Sequence, residues 1–373
     1  MRYYKEQNHQ TMKQRKIQII LLIFIVLTSC TQQQDEKVTT TTIAEKPKPT
    51  FQADTIVYCQ DKYYNLAFQE INQMLEDKIP MDFKRASFLI EWAYLKGNLD
   101  YDVFCQDIAR IAKDLKTFIK AKGVEQYKTS GNYALFEFFT KPHPMNQYKP
   151  FRYDFDDFYG KKDYQNVFVS KLLRTHIGQC RSMPMLYKIL AEEIGAESFL
   201  ALGTNHLYIK HLDEQGKWVN IELTNGHFSS DSWMISSMDI SAESIKKGVY
   251  MKDLTMRESI AFCMEELGYA YYRQYDYDNF SVLSCDTALK HFPNLMTALM
   301  HKSNTIRHFG LTYLKKYGKK KSLYIESNYK TFKELEVRME ELGFREMSQD
   351  KYEAWVRSME EERAKINSQT ASN

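Results

Sequence analysis

Apolar residues recur at helical spacing through the stretch from about residue 52 to 125, in three successive stripes. The first holds Ile56, Cys59, Tyr63, Ala67, Ile71, Met74 and Leu75. The second holds Ala86, Leu89, Ile90 and Ala93 and stops at Gly97. The third holds Phe104, Ile108, Ile111, Ala112, Leu115 and Ile119 and stops at Gly123. Each predicts a helix with one buried face. From about 130 to 165 the pattern turns aromatic and acidic, as in FRYDFDDFYGKKDY. It reads as a loop over the core with Asp154, Asp156 and Asp157 in solvent, because these acids lack the ligand spacing and the glycine of a calcium loop.

The pattern is most informative between 166 and 240. Leu186, Ile189, Leu190 and Ile194 give a helix its buried face, and Gly195 is a natural stop. Pro184 is tolerated only near the first turn, so the helix starts between Cys180 and Met183. Two strands are expected at about 197–202 and 204–211, and after Asp213-Glu214-Gln215-Gly216 a third at 218–224. Leu207 and Ile209 alternate with polar residues, as do Val219, Ile221 and Leu223. If both apolar sets face one core, the last two strands pair with even residue sums, since a slip by one would expose a set. His206 and Glu222 then share the opposite face, and a Glu214-Gln215-Gly216 turn with a left-handed glycine makes them diagonal neighbours.

Past residue 250, Leu267, Gly268, Tyr271, Ala288 and Pro293 fall roughly in the order of a tetratricopeptide unit, although the second half is one residue out of step and Phe280 replaces a small residue. A degenerate helical hairpin, packed on what precedes it, is the expectation. The run Lys315-Lys316-Tyr317-Gly318-Lys319-Lys320-Lys321 reads as a solvated loop, and 327–345 and 348–366 as two further helices.

The N-terminus changes where the protein is expected to work. Ile17 to Leu27 is apolar except for Gln18, too short to span a bilayer, and preceded by cations. Leu27-Thr28-Ser29-Cys30 resembles a bacterial lipobox, which implies lipidation of Cys30 and anchoring at a cell-envelope membrane, the outer membrane by preference. Translation from Met12 would give a signal of ordinary length. Residues 31–50, polar and Thr-rich, suit a flexible tether. Residues 1–29 carry Arg2, Lys5, Lys13, Arg15 and Lys16 against Glu6, a net of +4, so the formal +3 of the chain leaves −1 for the rest. No basic excess argues for nucleic acid once the leader is gone. Besides Cys30 five cysteines remain, an odd number. Cys263 with Cys285, and Cys59 with Cys105, are conceivable pairs, but each also suits the role of a small buried hydrophobe.

Cys180 is in different company. At a helix N-terminus, unpaired N–H groups and the positive end of the dipole favour a thiolate, and the same amides suit an oxyanion. Asn166 and Gln179 are candidate additional oxyanion donors. A strand carboxylate diagonal to an imidazole can fix its tautomer, which assigns Glu222 to orient His206. His211 lies on the apolar parity and His176 has no carboxylate at matching spacing, and no paired Cys/His spacing of a zinc site occurs. No metal or other cofactor is expected.

The blocks GQCRSMPMLYKILAEEIG, NHLYIK and GKWVNIELT resemble the transglutaminase-like superfamily over about 165–235. The matching positions are Cys180, His206 and Glu222, with Trp218 and Thr224 framing the last; Glu222 stands where the family has Asp. The resemblance is strongest to a bacterial branch with tetratricopeptide-like helices after the core. Together with the leader and the apolar stripes, it gives an expected α+β fold in five parts: a signal and lipobox (1–30), a tether (31–50), N-terminal helices (51–125), a papain/transglutaminase-like core of a helix on an antiparallel sheet (126–250) and tetratricopeptide-like helices (251–373). It also implies a cysteine-dependent amide hydrolase or acyl transferase acting on a peptide or protein, with hydrolysis favoured over cross-linking. The alternative is a catalytically idle scaffold that binds protein partners through its helices.

Overall fold

The computed structural model describes residues 50–157, 160–318 and 322–345, together with Arg357 and Glu361. The signal, Cys30, nearly all of the tether, Lys319–Lys321 and most of the expected helix 348–366 lie outside the described residues.

The chain is a mixed α+β protein, mostly helical, with a small antiparallel sheet. Helix α1 (Lys62–Leu75) begins later than its apolar stripe suggests, because the Asp61 side chain accepts from Tyr63 N at 2.8 Å and caps it. Ile56 and Cys59 therefore precede the helix, in an extended segment that Gln69 of α1 holds through Ile56 O at 3.0 Å and Asp54 N at 2.9 Å. α2 (Phe83–Tyr94) is capped by Asp82. α3 (Tyr101–Lys122) is capped by Asp100 and ends as expected at Gly123, whose φ of 63° is left-handed.

The expected loop after 130 instead opens with a helix, α4 (Ser130–Thr140), which buries Ala134, Leu135, Phe138 and Phe139. Asp157 is not in solvent either. It is 7% exposed and accepts hydrogen bonds from the backbone N–H groups of Lys161, Lys162 and Asp163, so it organises the loop from within. β1 (Arg152–Tyr153) precedes this loop, and α5 (Val169–Thr175), β2 (Ile177–Gly178) and α6 (Ser182–Ile194) follow it, with β1 and β2 paired in parallel. The start of α6 at Ser182 and its stop at Gly195, at a φ of 75°, agree with the sequence reading.

The four-stranded antiparallel sheet runs in order β3 (Phe199–Gly203), β4 (His206–Leu212), β5 (Trp218–Glu222) and β6 (His227–Ser229). One face packs on α6. The other is covered by the segment from α7 (Asp231–Ser237) through α8 (Ala242–Lys246) to Met251: Asn220 donates to Asp231 at 2.7 Å, and Lys210 to Met251 O at 2.7 Å. Both faces of β4 are thereby buried, although its sequence alternates.

The C-terminal part is helical: α9 (Met256–Tyr275), α10 (Asn279–His291), α11 (Met296–Tyr317) and α12 (Leu323–Glu341). α9 and α10 form the expected hairpin, and Gly268 is needed in it, since a Cβ there would stand 2.6 Å from Cβ of Ser284. Lys315 to Tyr317 belong to the last turn of α11 and are not a loop. α9 also packs on the first two helices: the Tyr64 and Tyr271 rings meet edge-on at 5.2 Å, and Arg257 reaches Asp77 at 2.6 Å. One continuous apolar core runs from α1 to Leu342. Among the described residues no helix is long and apolar enough to cross a membrane.

Candidate active site

The first component is the corner before α6. Gly178 is constrained by its neighbours, as a Cβ would stand 2.6 Å from Ser182 Oγ and 2.7 Å from Leu172 Cδ1. Ser182 Oγ accepts from Gln179 N at 3.0 Å, and Met183 N bonds back to Gln179 O at 3.1 Å. This tight turn presents Cys180 two residues ahead of the helix, partly accessible. Among the described residues the backbone N–H groups of Cys180 and Arg181 have no acceptor, as expected of donors at a helix start.

The second component is the β4–β5 hairpin. Its register pairs Ile209 with Ile221 and Leu212 with Trp218, the even sums that the apolar alternation requires. Asp213 N bonds Lys217 O at 2.8 Å, which leaves Glu214-Gln215-Gly216 as the turn, with Gly216 at a φ of 77°. His206 and Glu222 are accordingly diagonal neighbours on one face, and His206 Nε2 hydrogen-bonds Glu222 Oε2. The other oxygen, Oε1, accepts from Thr224 N at 3.0 Å and Thr224 Oγ1 at 2.7 Å. The carboxylate, on a residue 2% exposed, is thus held on both oxygens. The extra methylene of Glu relative to Asp does not prevent contact with the ring.

The two components meet. Cys180 lies near enough to His206 to help raise the pKa of the ring. With Nε2 taken by Glu222, Nδ1 is the ring nitrogen left for sulfur. Burial opposes a charge on His206, but the Glu222 carboxylate and the contacts with Cys180 and Glu222 outweigh it and push its pKa up to about 10. Burial likewise opposes a charge on Glu222, yet His206 and the two Thr224 donors hold its carboxyl below the ordinary 4.5. A sulfur beside an imidazole whose far nitrogen is fixed by a carboxylate is the geometry of an activated nucleophile.

The candidate oxyanion donors sit differently. Asn166 Nδ2 donates to Asp157 Oδ2 at 3.0 Å and Gln179 Nε2 to Asp157 O, so both amides brace the loop. The backbone N–H groups of Cys180 and Arg181 are the donors that remain. His176 stacks on Phe151 at 4.6 Å and bonds Lys149 O, and His211 bonds Leu212 O at 2.9 Å; neither joins the site. Cys59, Cys105, Cys263 and Cys285 are free thiols, the last two buried. Burial, the largest influence on Cys59, pushes its thiol up to about 11. Among the described residues no group of three or more His, Cys, Asp or Glu could hold a metal ion.

Two features of the site leave little signal in the sequence. Thr224 reads there only as a flank of Glu222, although its place two residues on is the spacing at which a side chain can bond a neighbouring carboxylate. Arg181 forms a buried ion pair with Glu266 of α9, a contact across the chain that leaves no local signal. Compared with protein-family models, curated proteins and solved structures, the chain matches none.

Proposed function

We propose that the protein is a cysteine-dependent amide hydrolase or acyl transferase of the transglutaminase-like, papain-type class, with hydrolysis the favoured outcome. The observation that carries this reading is His206 held by Glu222 on one nitrogen and facing Cys180. The raised pKa of His206 favours its imidazolium form at neutral pH, ready to give a proton to a departing amine.

The Cys180 thiolate attacks the carbonyl carbon of an amide, forming a C–S bond as the carbonyl electrons move onto oxygen. The N–H groups of Cys180 and Arg181 receive that oxyanion. As it collapses the C–N bond breaks, and His206 gives its proton to the departing amine. The thioester is then attacked by water, whose proton passes to His206. The C–S bond breaks, releasing a carboxylic acid and restoring the thiolate–imidazolium pair. An amine in place of water gives transfer. Glu222, fixed by Thr224, keeps the ring oriented throughout.

The N-terminal signal supports placement at an envelope membrane through a lipid on Cys30, with a peptide or protein as substrate. Iodoacetamide is expected to label Cys180 ahead of Cys59 and Cys105 near neutral pH, with His206→Ala slowing that labelling. Cys180→Ser should abolish turnover of a peptide-amide library while leaving thermal unfolding unchanged. Equal, slow labelling of the accessible thiols would end the enzyme reading. One observation favours the alternative of a partner-binding scaffold: Leu311, Leu314 and Tyr317 of α11 and Leu323, Tyr324 and Tyr329 of α12 are exposed together on the C-terminal helices.

A further inference from the structure

Glu91 lies opposite the apolar stripe of α2, yet it is only 3% exposed. Its Oε1 accepts from Val169 N at 2.7 Å and its Oε2 from Ser170 N at 3.0 Å, the first two N–H groups of α5. A carboxylate out of water needs such donors, and α5 needs the acceptor as much. With seven residues it is too short to hold alone, and its N-cap, Phe168, makes no side-chain capping bond. The cap comes instead from α2, 78 residues earlier in the chain.

α5 in turn bears on the nucleophile corner. Its C-cap, His176, leads through Ile177 to Gly178. Leu172 of α5 is fully buried, and a Cβ on Gly178 would stand 2.7 Å from its Cδ1. The same Cβ would stand 2.6 Å from Ser182 Oγ, which accepts from Gln179 N at 3.0 Å immediately ahead of Cys180. The helix, the glycine and the turn that carries the sulfur are therefore packed without slack. In an interior of that density a displacement of α5 is passed on to the corner and is not absorbed.

We propose that Glu91 is a positioning residue for the nucleophile: by capping α5 it fixes the corner that carries Cys180, so that the N-terminal helices belong to the framework of the active site. This rests on the reading of Cys180 as the nucleophile.

The test is the rate of iodoacetamide alkylation at Cys180 in the full chain, read by peptide mass at about pH 8, with thermal unfolding measured in parallel. Burial pushes the Glu91 pKa up to about 7, so this pH keeps its carboxylate ionised. Glu91→Gln keeps one acceptor oxygen and sets an amide NH2 against the second donor. It is expected to slow Cys180 labelling about tenfold, while Cys59 and Cys105 keep their rates. Val169→Pro removes the donor bonded at 2.7 Å, and proline suits this first helical position after Phe168, whose ψ of 138° is extended. Added to Glu91→Gln, it should restore most of the Cys180 rate. Glu70→Gln is the control: Glu70 of α1 is also buried, at 7% exposure, but it accepts from Arg85 Nε at 2.7 Å and does not cap α5. It should lower the unfolding temperature without slowing Cys180. A Cys180 rate within twofold of wild type in Glu91→Gln, or equal slowing by Glu70→Gln, would overturn the proposal. Faster labelling of the buried Cys263 and Cys285 in Glu91→Gln, unrelieved by Val169→Pro, would mark general opening and overturn it too. A wild-type Cys180 no more reactive than Cys59 and Cys105 is a separate result: it removes the nucleophile reading and this proposal with it.

Discussion

Two buried carboxylates, each paired with a cationic side chain, end in opposite states. Glu222 in the sheet is held below the ordinary range, while Glu266 in α9 is pushed up to about 8. Burial raises both. Around Glu222, His206 and two donors from Thr224 overcome it. Around Glu266 only Arg181 opposes it, and the adjacent Glu265 adds a like charge. The number of donors and the nearest like charge thus decide ionisation, beyond the presence of one opposite charge. The sheet carboxylate is built to stay ionised and aim a ring; the helical one is built to hold a guanidinium.

The largest expected effect tests the first half of that contrast. Glu222→Gln should lower amide turnover by about 10²- to 10⁴-fold, the range for losing a tuned acid–base group. It should also bring the alkaline limb of the pH–rate profile down from near 10 toward the ordinary 6.5 of His206. Turnover within twofold of wild type would show that the carboxylate does not govern the ring.

The two regions also share a constraint, a glycine at a close approach. Gly178→Ala and Gly268→Ala each force contacts of 2.6 Å and should each cost about 1–3 kcal/mol, measured by denaturant unfolding. Only Gly178→Ala should also slow Cys180 labelling, because only it distorts the turn carrying the sulfur. Equal slowing by both would mean that the helical side controls the corner more tightly than the ion pair requires.

A smaller change is expected from Thr224→Val. It removes the hydroxyl donor to Glu222 but keeps the backbone one, so a loss of about 1 kcal/mol, or roughly tenfold or less in turnover, should follow. Serine at this position should restore the activity.

The subtlest prediction concerns stability against pH. His206 has its pKa raised on folding, so its contribution is complete below about 6.5 and is lost as the pH rises through about 10. Glu266 is raised too, so folding favours its neutral form, and stability falls between the ordinary 4.5 and about 8. Glu222 is lowered, so its contribution is present above the ordinary 4.5 and is lost on acidification. Thermal melts from pH 4 to 10 should therefore decline on the alkaline side in two ranges: Glu266→Gln flattens the first and His206→Ala the second. A wild-type profile level from pH 6 to 10 would contradict both assignments.

Much of the site could be read along the chain because its parts obey short periods. Alternation in β4 and β5, with a glycine at the turn, requires one register and so joins His206 to Glu222. Pro184 and Gly195 bracket α6 and locate Cys180 before it. Elements without such a period were missed. α4 is aromatic on several sides, so its 3.6-residue repeat does not stand out, and α11 has mixed composition through buried turns. Asp157 looked solvated because acids usually are, yet three backbone N–H groups fold around it.

By itself the sequence determined the boundaries of α6, the pairing of the site hairpin and the shared face of His206 and Glu222, because strand and helix periods act over a few residues and a slip would expose apolar side chains. Only the tertiary structure decided that the Cys180 corner reaches His206, that Asn166 and Gln179 turn to Asp157, and that Arg181 finds Glu266. Those meetings come from packing α6 on the sheet and α9 against its start, and a buried polar pair between distant segments imposes no pattern on the residues around either partner.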